Sequence, residues 1–397
     1  MNYLSLILWV MMFFVFAEFI FSKSDRICRQ IYNMAFFVLA FMVGIRYYYG
    51  PDIATYVPFY NDLPNVWLVL TRQYASGFEY GFDVFCSAVK SCGFSFWWCT
   101  LFITLIYYFA IWILFKKLTK FRTFALFALI LLDYNLPLHE LRQCLSVSFF
   151  IFAYLLYQKR EYLGCLVCAI ICGFMHKSGF IICGCTIFFM LFWQMGIDKR
   201  AYLTLAILLC AMLIIPLSNI GETIFTKLPL SHSINNSILH HLQLGKNLQT
   251  IFPIYFLSIL CLAYYSTFTA NHKHYHWMMW ICIAVIVFLY QYWYLLNRLR
   301  SFFLPFIIIY MQREIAESKI KDALPRQIFA MIFLVYATIF SIGNNNQPHY
   351  VKSHTNDICT IFDLINGDKE QIIERQNKEA LLFWEYDFKY MINQQHK

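Results

Sequence analysis

From Tyr3 to Phe21 the chain reads YLSLILWVMMFFVFAEFIF, an apolar run broken by a single charge, Glu18. Runs of this kind recur along the sequence, and a helix needs about 20 such residues to cross a bilayer. The balance of residues agrees: 60% are hydrophobic and only 13% charged, where a soluble domain carries about a quarter charged. The expected fold is therefore all-α, a polytopic membrane protein with about 12 transmembrane helices whose first partner is the lipid bilayer. The spans are expected at 3–21, 31–45, 96–115, 123–138, 143–157, 162–175, 179–193, 201–217, 252–267, 277–296, 302–312 and 327–342. Pro137 should kink or end the fourth. The first run lacks a basic leader and is long enough to span, so it is read as a helix and not as a cleavable signal.

Lys and Arg in short loops set orientation. SKSDRICR, KKLTKFR, QKRE, DKR, NHKHYH and QREIAESKIKDALPR alternate along the chain and are assigned to the cytoplasm. The opposite face then carries two large segments, 46–95 and 218–251, within a transmembrane domain of residues 1–342. Residues 343–397 differ, with Ile361, Leu364, Ile365, Ile372, Leu381 and Trp384 spaced among charges. They are read either as amphipathic helix on the membrane or as a mobile tail. The net charge of +9 serves topology and does not argue for nucleic acid. Most cysteines fall inside apolar runs, where they behave as small apolar residues.

Polar residues inside or beside the runs need a reason. HELRQ, residues 139–143, opens the fifth span on the outer face. Glu140 and Arg142 occupy its first turn, where free N–H groups and the helix dipole already favour an anion. Two readings stay open: Arg142 snorkels and pairs with Glu140, or it forms an anion site. The same face gathers more. Arg46 ends the second span and precedes Gly50-Pro51, a turn that can return Asp52 toward it, with Tyr56 following. FEYGFDVF places Glu79, Gly81 and Asp83 among aromatics, which suits an interfacial helix or a stacking platform for sugars. FMHKSGF brings out His176 and Lys177 beside Ser178, and NRLRSFFLP brings Asn297, Arg298 and Arg300 to the end of the tenth span. Positive-inside bias should deplete this face of arginine. Arg46, Arg142, Arg298 and Arg300 together fit a diphosphate, whose oxygens match the guanidinium fork. A lipid diphosphate would sit at this depth.

Other chemistry lacks its signals. There is no Walker A, GxSxG or HExxH. His272, His274 and His276 lie in a loop assigned to the cytoplasm and are read as solvated; no metal or cofactor is expected.

The set Arg46…Gly50-x-Asp52…Tyr56, then Glu79-x-Gly81, LRQ at 141–143 and HKSGF at 176–180 resembles the EpsG-like branch of Wzy-type polysaccharide polymerases. It departs from the family pattern at His139, where Asn is usual, at Leu141, where Ile is usual, and at Gly179, where Ala is commoner. The resemblance implies a bacterial inner-membrane glycosyltransferase acting on the periplasmic face. Donor and acceptor would be glycans linked to undecaprenyl diphosphate, with a chain-length regulator protein as an optional further partner. It implies that Arg142 and Arg298 hold the diphosphate, with Arg46 and Arg300 beside them. Asp52 and His176, then Glu79 and Glu140, are candidates for the general base, with Tyr56, Gln143 and Lys177 in support. The alternatives are an O-antigen ligase and a lipid-linked oligosaccharide flippase.

Overall fold

A computed structural model describes residues 3–47, 51–74, 76–138, 140–194, 293–317, 359–360, 370 and 373–374. The described chain is helical apart from one two-stranded pairing. It divides into two compact units, residues 1–180 with 337–397, and residues 181–336.

In the first unit α1 (Tyr3–Ile20) and α2 (Asp25–Gly44) form a hairpin, followed by strand β1 (Arg46–Tyr47). The segment expected as a large loop folds into three helices, α3 (Pro51–Asp62), α4 (Val66–Leu70) and α5 (Tyr80–Ser91). Helix α6 (Phe96–Leu118) packs against α2 and leads to α7 (Arg122–Leu132), the short α8 (Asn135–Leu138), α9 (Leu141–Gln158) and α10 (Tyr162–Met175). Helices α9 and α10 pack as a hairpin, and α6 lies along α9. Helix α11 (Lys177–Gln194) begins in this unit. Strand β2 (Cys359–Thr360) pairs antiparallel with β1, Arg46 opposite Thr360, which brings part of the C-terminal segment to the end of α2.

Helices α1, α2 and α10 carry exposed apolar faces, and that is the signature of lipid contact. On α1, Ile7, Met11, Val15 and Glu18 are buried while Trp9, Phe13, Phe16 and Ile20 are exposed. On α2, Tyr32, Phe36, Leu39 and Val43 point inward; Met34, Phe37 and Phe41 point outward. On α10, Leu163, Leu166, Val167 and Ile170 are exposed. Water does not tolerate apolar stripes of this extent, and lipid requires them. The chain is a membrane protein. Among the described residues α2 and α6 are long and apolar enough to cross a bilayer, and α1, α7, α10 and α11 contribute shorter apolar stretches.

Glu18 shows why an acid sits in an apolar run. Its Oε1 accepts the N–H of Thr123 and its Oε2 the N–H of Phe124, each at 3.0 Å. A carboxylate on one helix thus caps the N-terminus of another, α7. At the same end Asp25 bridges to Arg122 at 3.0 Å, near exposed Lys23, Arg26, Lys116 and Lys117.

Two expectations are corrected. The fourth span does not continue to residue 138: α7 stops at Leu132, Asp133 takes a non-helical conformation, and α8 is a separate turn carrying Pro137. The tenth and eleventh spans were expected to be separated by a turn around 297–301. Instead, helix α12 (Trp293–Glu317) in the second unit runs unbroken through that stretch and through Pro305. The proline ring removes one backbone donor, which a helix tolerates when its neighbours are packed, and Phe302, Phe303 and Phe306 are all buried. The spans expected at 201–217, 252–267 and 327–342, most of 277–296, and segment 218–251 lie outside the described residues, as does nearly all of the tail.

Close approach demands glycine where α10 turns into α11. A Cβ on Gly179 would meet the Cys172 carbonyl oxygen at 2.5 Å and Ser146 Oγ at 2.6 Å. That pair is itself bonded, Ser146 Oγ donating to Cys172 O at 2.8 Å. The departure from alanine at this position therefore has a local packing cause. Gly179→Ala is expected to destabilise the purified protein by about 1–3 kcal/mol, the usual range for overpacking. Gly77→Ala, where an added Cβ meets nothing within 4 Å, is expected to be near neutral. Thermal unfolding in detergent would check both.

Candidate functional site

The site grows from the break between α7 and α9. In apolar surroundings the carbonyls left by a broken helix need donors. Arg46 supplies them: Nε donates to Leu138 O at 2.7 Å, and Nη1 to Val43 O at 2.9 Å and Thr104 Oγ1 at 2.7 Å. Arg46 is only 4% exposed. It is a strut tying α2, α6 and α8 together, and its Nη2 has no hydrogen-bond partner among the described residues. The turn expected to fold Asp52 back onto Arg46 is not how this guanidinium is satisfied. Asp52 lies in the first turn of α3, one helical turn from Tyr56.

Beyond the strut, α9 starts at Leu141 with Glu140 as its N-cap, whose side chain makes no capping bond. Arg142, in the first turn, projects toward the segment 51–91. Its Nη1 donates to Glu79 Oε2 at 2.7 Å and its Nε to the Tyr56 hydroxyl at 3.1 Å. The guanidinium also lies over the Phe78 ring, 4.6 Å from its centre. Of the two open readings for Arg142, pairing occurs, but the partner is Glu79 and not Glu140. The side chains are 22% and 8% exposed, so the carboxylate is buried while the guanidinium keeps some access. Neither contact uses Nη2.

Glu79 reaches Arg142 because it is the N-cap of α5 yet makes no side-chain cap bond there. Close packing of α5 on α10 fixes its position: a Cβ on Gly81 would come within 2.8 Å of the Phe174 carbonyl oxygen. Its second oxygen, Oε1, accepts the backbone N–H of Lys177 at 3.4 Å. Burial by itself would raise the Glu79 pKa. The Arg142 guanidinium beside it and the hydrogen bonds work against burial, and the carboxyl lies below its ordinary value. Tyr56 is buried and its phenol is pushed up by that burial, so it stays protonated. Because its oxygen accepts from Arg142, its own proton points elsewhere.

His176 follows α10 and is buried. Its Nδ1 lies 2.6 Å from Ser178 Oγ and accepts the Ser178 backbone N–H at 3.2 Å. A backbone N–H can only donate, so Nδ1 carries the lone pair and the neutral ring bears its proton on Nε2. His176 is thus set up as a donor. Lys177 is exposed at the start of α11, and Gln143 is buried on α9. Asp83 is fixed differently: Ser76 Oγ lies 2.7 and 2.8 Å from its two oxygens and also accepts the N–H of Phe78. Burial raises the Asp83 pKa despite these bonds.

The aromatics of FEYGFDVF do not form a free platform. Phe59 stacks on Phe82 at 5.7 Å, Tyr56 lies 5.4 Å from Phe78, and Phe59 meets Phe78 edge-on at 4.6 Å. They form a small core joining α3 to α5. Phe78 and Thr104 are the contributors sequence reading missed: neither is near its guanidinium in sequence, so only folding reveals the contact.

Arg142, Glu79 and Tyr56 therefore meet, with His176 and the Lys177 N–H at Glu79. Arg46 stands beneath the break as a support. Arg298 and Arg300 are half-buried on α12 in the second unit. Among the described residues no group of His, Cys, Asp and Glu is placed to hold a metal ion.

A family model, the EpsG family, matches residues 29–351, a span that includes every candidate residue named above. No curated protein and no solved structure matches the chain.

The Arg142–Glu79 pair makes stability pH-dependent in a defined direction. A carboxyl whose folded pKa is depressed adds stability above its unfolded value, and that stability is lost as pH falls through the folded value. Glu79→Gln is expected to cost about 2 kcal/mol at neutral pH, typical of hydrogen bonds to charged groups. The gap to the parent should close only below the ordinary carboxylate range. Thermal unfolding of both proteins from pH 7 to pH 3 tests this.

Proposed function

The chain belongs to the EpsG family, a membership that points to a polysaccharide polymerase, and from that premise we propose that it joins glycan repeat units carried on undecaprenyl diphosphate. In this reading it is an inner-membrane, multi-pass glycosyltransferase whose site opens on the periplasmic face. The observation that carries it is Arg142: a guanidinium at a helix N-terminus, backed by an aromatic ring, with one nitrogen outside its present contacts. Such a fork grips phosphate oxygens in two places, and the helix end adds N–H groups of the same sign.

The chemistry asks for placement and charge stabilisation. An acceptor sugar hydroxyl attacks C1 of the donor glycan. The C1–O bond to the diphosphate breaks, and the leaving group takes the electron pair. Arg142 stabilises the negative charge as it develops on the departing oxygen, and a carboxylate accepts the hydroxyl proton. Tyr56, donating its free proton, orients a phosphate or sugar oxygen. Arg46 maintains the break from which Arg142 projects. Arg298 and Arg300 are proposed, from the family resemblance alone, as further diphosphate-binding residues.

Deleting the gene and displaying lipopolysaccharide on a gel separates this reading from its rivals. Loss of a polymerase leaves core bearing one repeat. Loss of an O-antigen ligase leaves bare core with polymer retained on its lipid carrier, and loss of a flippase leaves no exported units. Arg142→Ala and Arg298→Ala are each expected to abolish the ladder while the protein still inserts into membranes. Normal ladders from both would refute the assignment of the two arginines.

A further inference from the structure

We infer that the Arg142–Glu79 ion pair is a resting lock, opened by the arriving diphosphate, and that the Glu79 carboxylate so released is the base that takes the acceptor proton. The inference rests on the proposed diphosphate donor. It adds an order to the reaction, donor before acceptor deprotonation, and a single residue for a role that the sequence left among four.

The geometry supports it by elimination and by contact. The Nδ1 lone pair of His176 accepts the Ser178 backbone N–H, so the ring can take up a proton there only by giving up that turn. Glu140 sits at the α9 N-cap, and the ion pair of Arg142 is with Glu79 instead. Asp52 acts on Tyr56 only through its charge. Glu79 alone shares a guanidinium with the position where phosphate is proposed to bind, at 2.7 Å. As it stands, both oxygens accept hydrogen bonds, one from Arg142 and one from the Lys177 N–H. Such a carboxylate is a weak base.

A diphosphate changes that balance. Two anions then compete for one guanidinium, and the more highly charged one, binding through two oxygens, displaces the carboxylate. Glu79 loses its strongest partner and gains a negative neighbour. Both changes favour its protonated form and so its ability to take a proton. The other groups around it do not replace the lost positive charge: Tyr56 on α3 stays neutral, Asp83 on its own helix is an acid and can add only negative charge, His176 between α10 and α11 is held as the neutral Nε2–H tautomer, and the Lys177 side chain is exposed. The acceptor O–H bond breaks toward Glu79, the new C1–O bond forms, the old C1–O bond to the diphosphate breaks, and the diphosphate leaves with that electron pair on its oxygen, stabilised by Arg142. Departure of the diphosphate allows the pair to re-form, which expels the proton to solvent.

Measuring binding and turnover together in one variant tests the lock. Full-length protein in nanodiscs is titrated with undecaprenyl diphosphate, and membranes carrying the same variants are assayed for polymer. Glu79→Gln keeps the shape and removes both the competing charge and the base. It should bind the probe several-fold more tightly than the parent while polymer formation falls 100-fold or more, the scale of a lost general base. If binding weakens, or does not change, Glu79 is only a brace for Arg142 or a base without a lock, and the inference fails. Retained turnover would sink it as well. Should Glu79→Gln not be recovered folded, Glu79→Asp carries the same test. One methylene shorter, it loosens the pair and should also tighten binding; weaker or equal binding overturns the lock. Arg142→Gln tests the underlying reading separately: unchanged affinity for the probe would mean that Arg142 does not hold the diphosphate, whatever Glu79 does.

Discussion

A guanidinium buried among helices holds this structure open where it would otherwise close. Arg46 donates to the last carbonyl of α8, to a carbonyl near the end of α2 and to Thr104 in the middle of α6. In lipid-like surroundings an unpaired carbonyl is expensive, several kcal/mol at the outside, so a helix can stop at membrane depth only where something else meets its last polar groups. Arg46 does so for the α7–α9 break. Without that break α9 would have no fresh N-terminus, and Arg142 would be one more position along a continuous apolar helix.

The break then dictates the site. Arg142 emerges in a first turn, where its charge is unfavourable to the helix dipole, and it needs compensation from outside the helix. Glu79 provides the charge, Tyr56 an acceptor, and Phe78 a ring face worth roughly 0.5–2 kcal/mol. All three come from the helical segment between α2 and α6, whose own small aromatic core of Tyr56, Phe59, Phe78 and Phe82 fixes their positions. The same logic appears at the other end of the bundle, where Glu18 caps α7 from a neighbouring helix. In both places a charged residue in an apolar run is explained by the backbone or side chain it meets on another helix.

Much was legible in one dimension. Apolar run length located α1, α6, α9, α10 and α11 to within a few residues; α2 starts at Asp25, six residues before its apolar run, because its first turns are polar. The short motifs singled out Arg46, Tyr56, Glu79, Arg142 and His176, because a charge or polar group beside a span needs a reason. Pairings were harder. Arg142 was weighed against Glu140, two residues away, and Arg46 against Asp52, six residues away; the structure pairs Arg142 with Glu79 and ties Arg46 to three different helices. Local proximity misled because neighbours along a helix point in different directions, whereas residues 63 apart can face one another across a bundle. The turn expected between two spans at 297–301 failed for a related reason: a polar, arginine-rich stretch and a proline look like a break, yet α12 continues through both.

The sequence alone determined that this chain lives in a bilayer as helices and which polar residues beside the apolar runs would need partners, since both follow from the cost of moving a side chain from water to lipid, and that cost is a property of each residue. Tertiary structure decided what those residues do: Arg46 a strut, Arg142 and Glu79 a pair, His176 a donor, Gly179 a point of contact. Those roles depend on which atoms of distant helices lie within about 3 Å, the reach of a hydrogen bond, and no residue carries that information by itself.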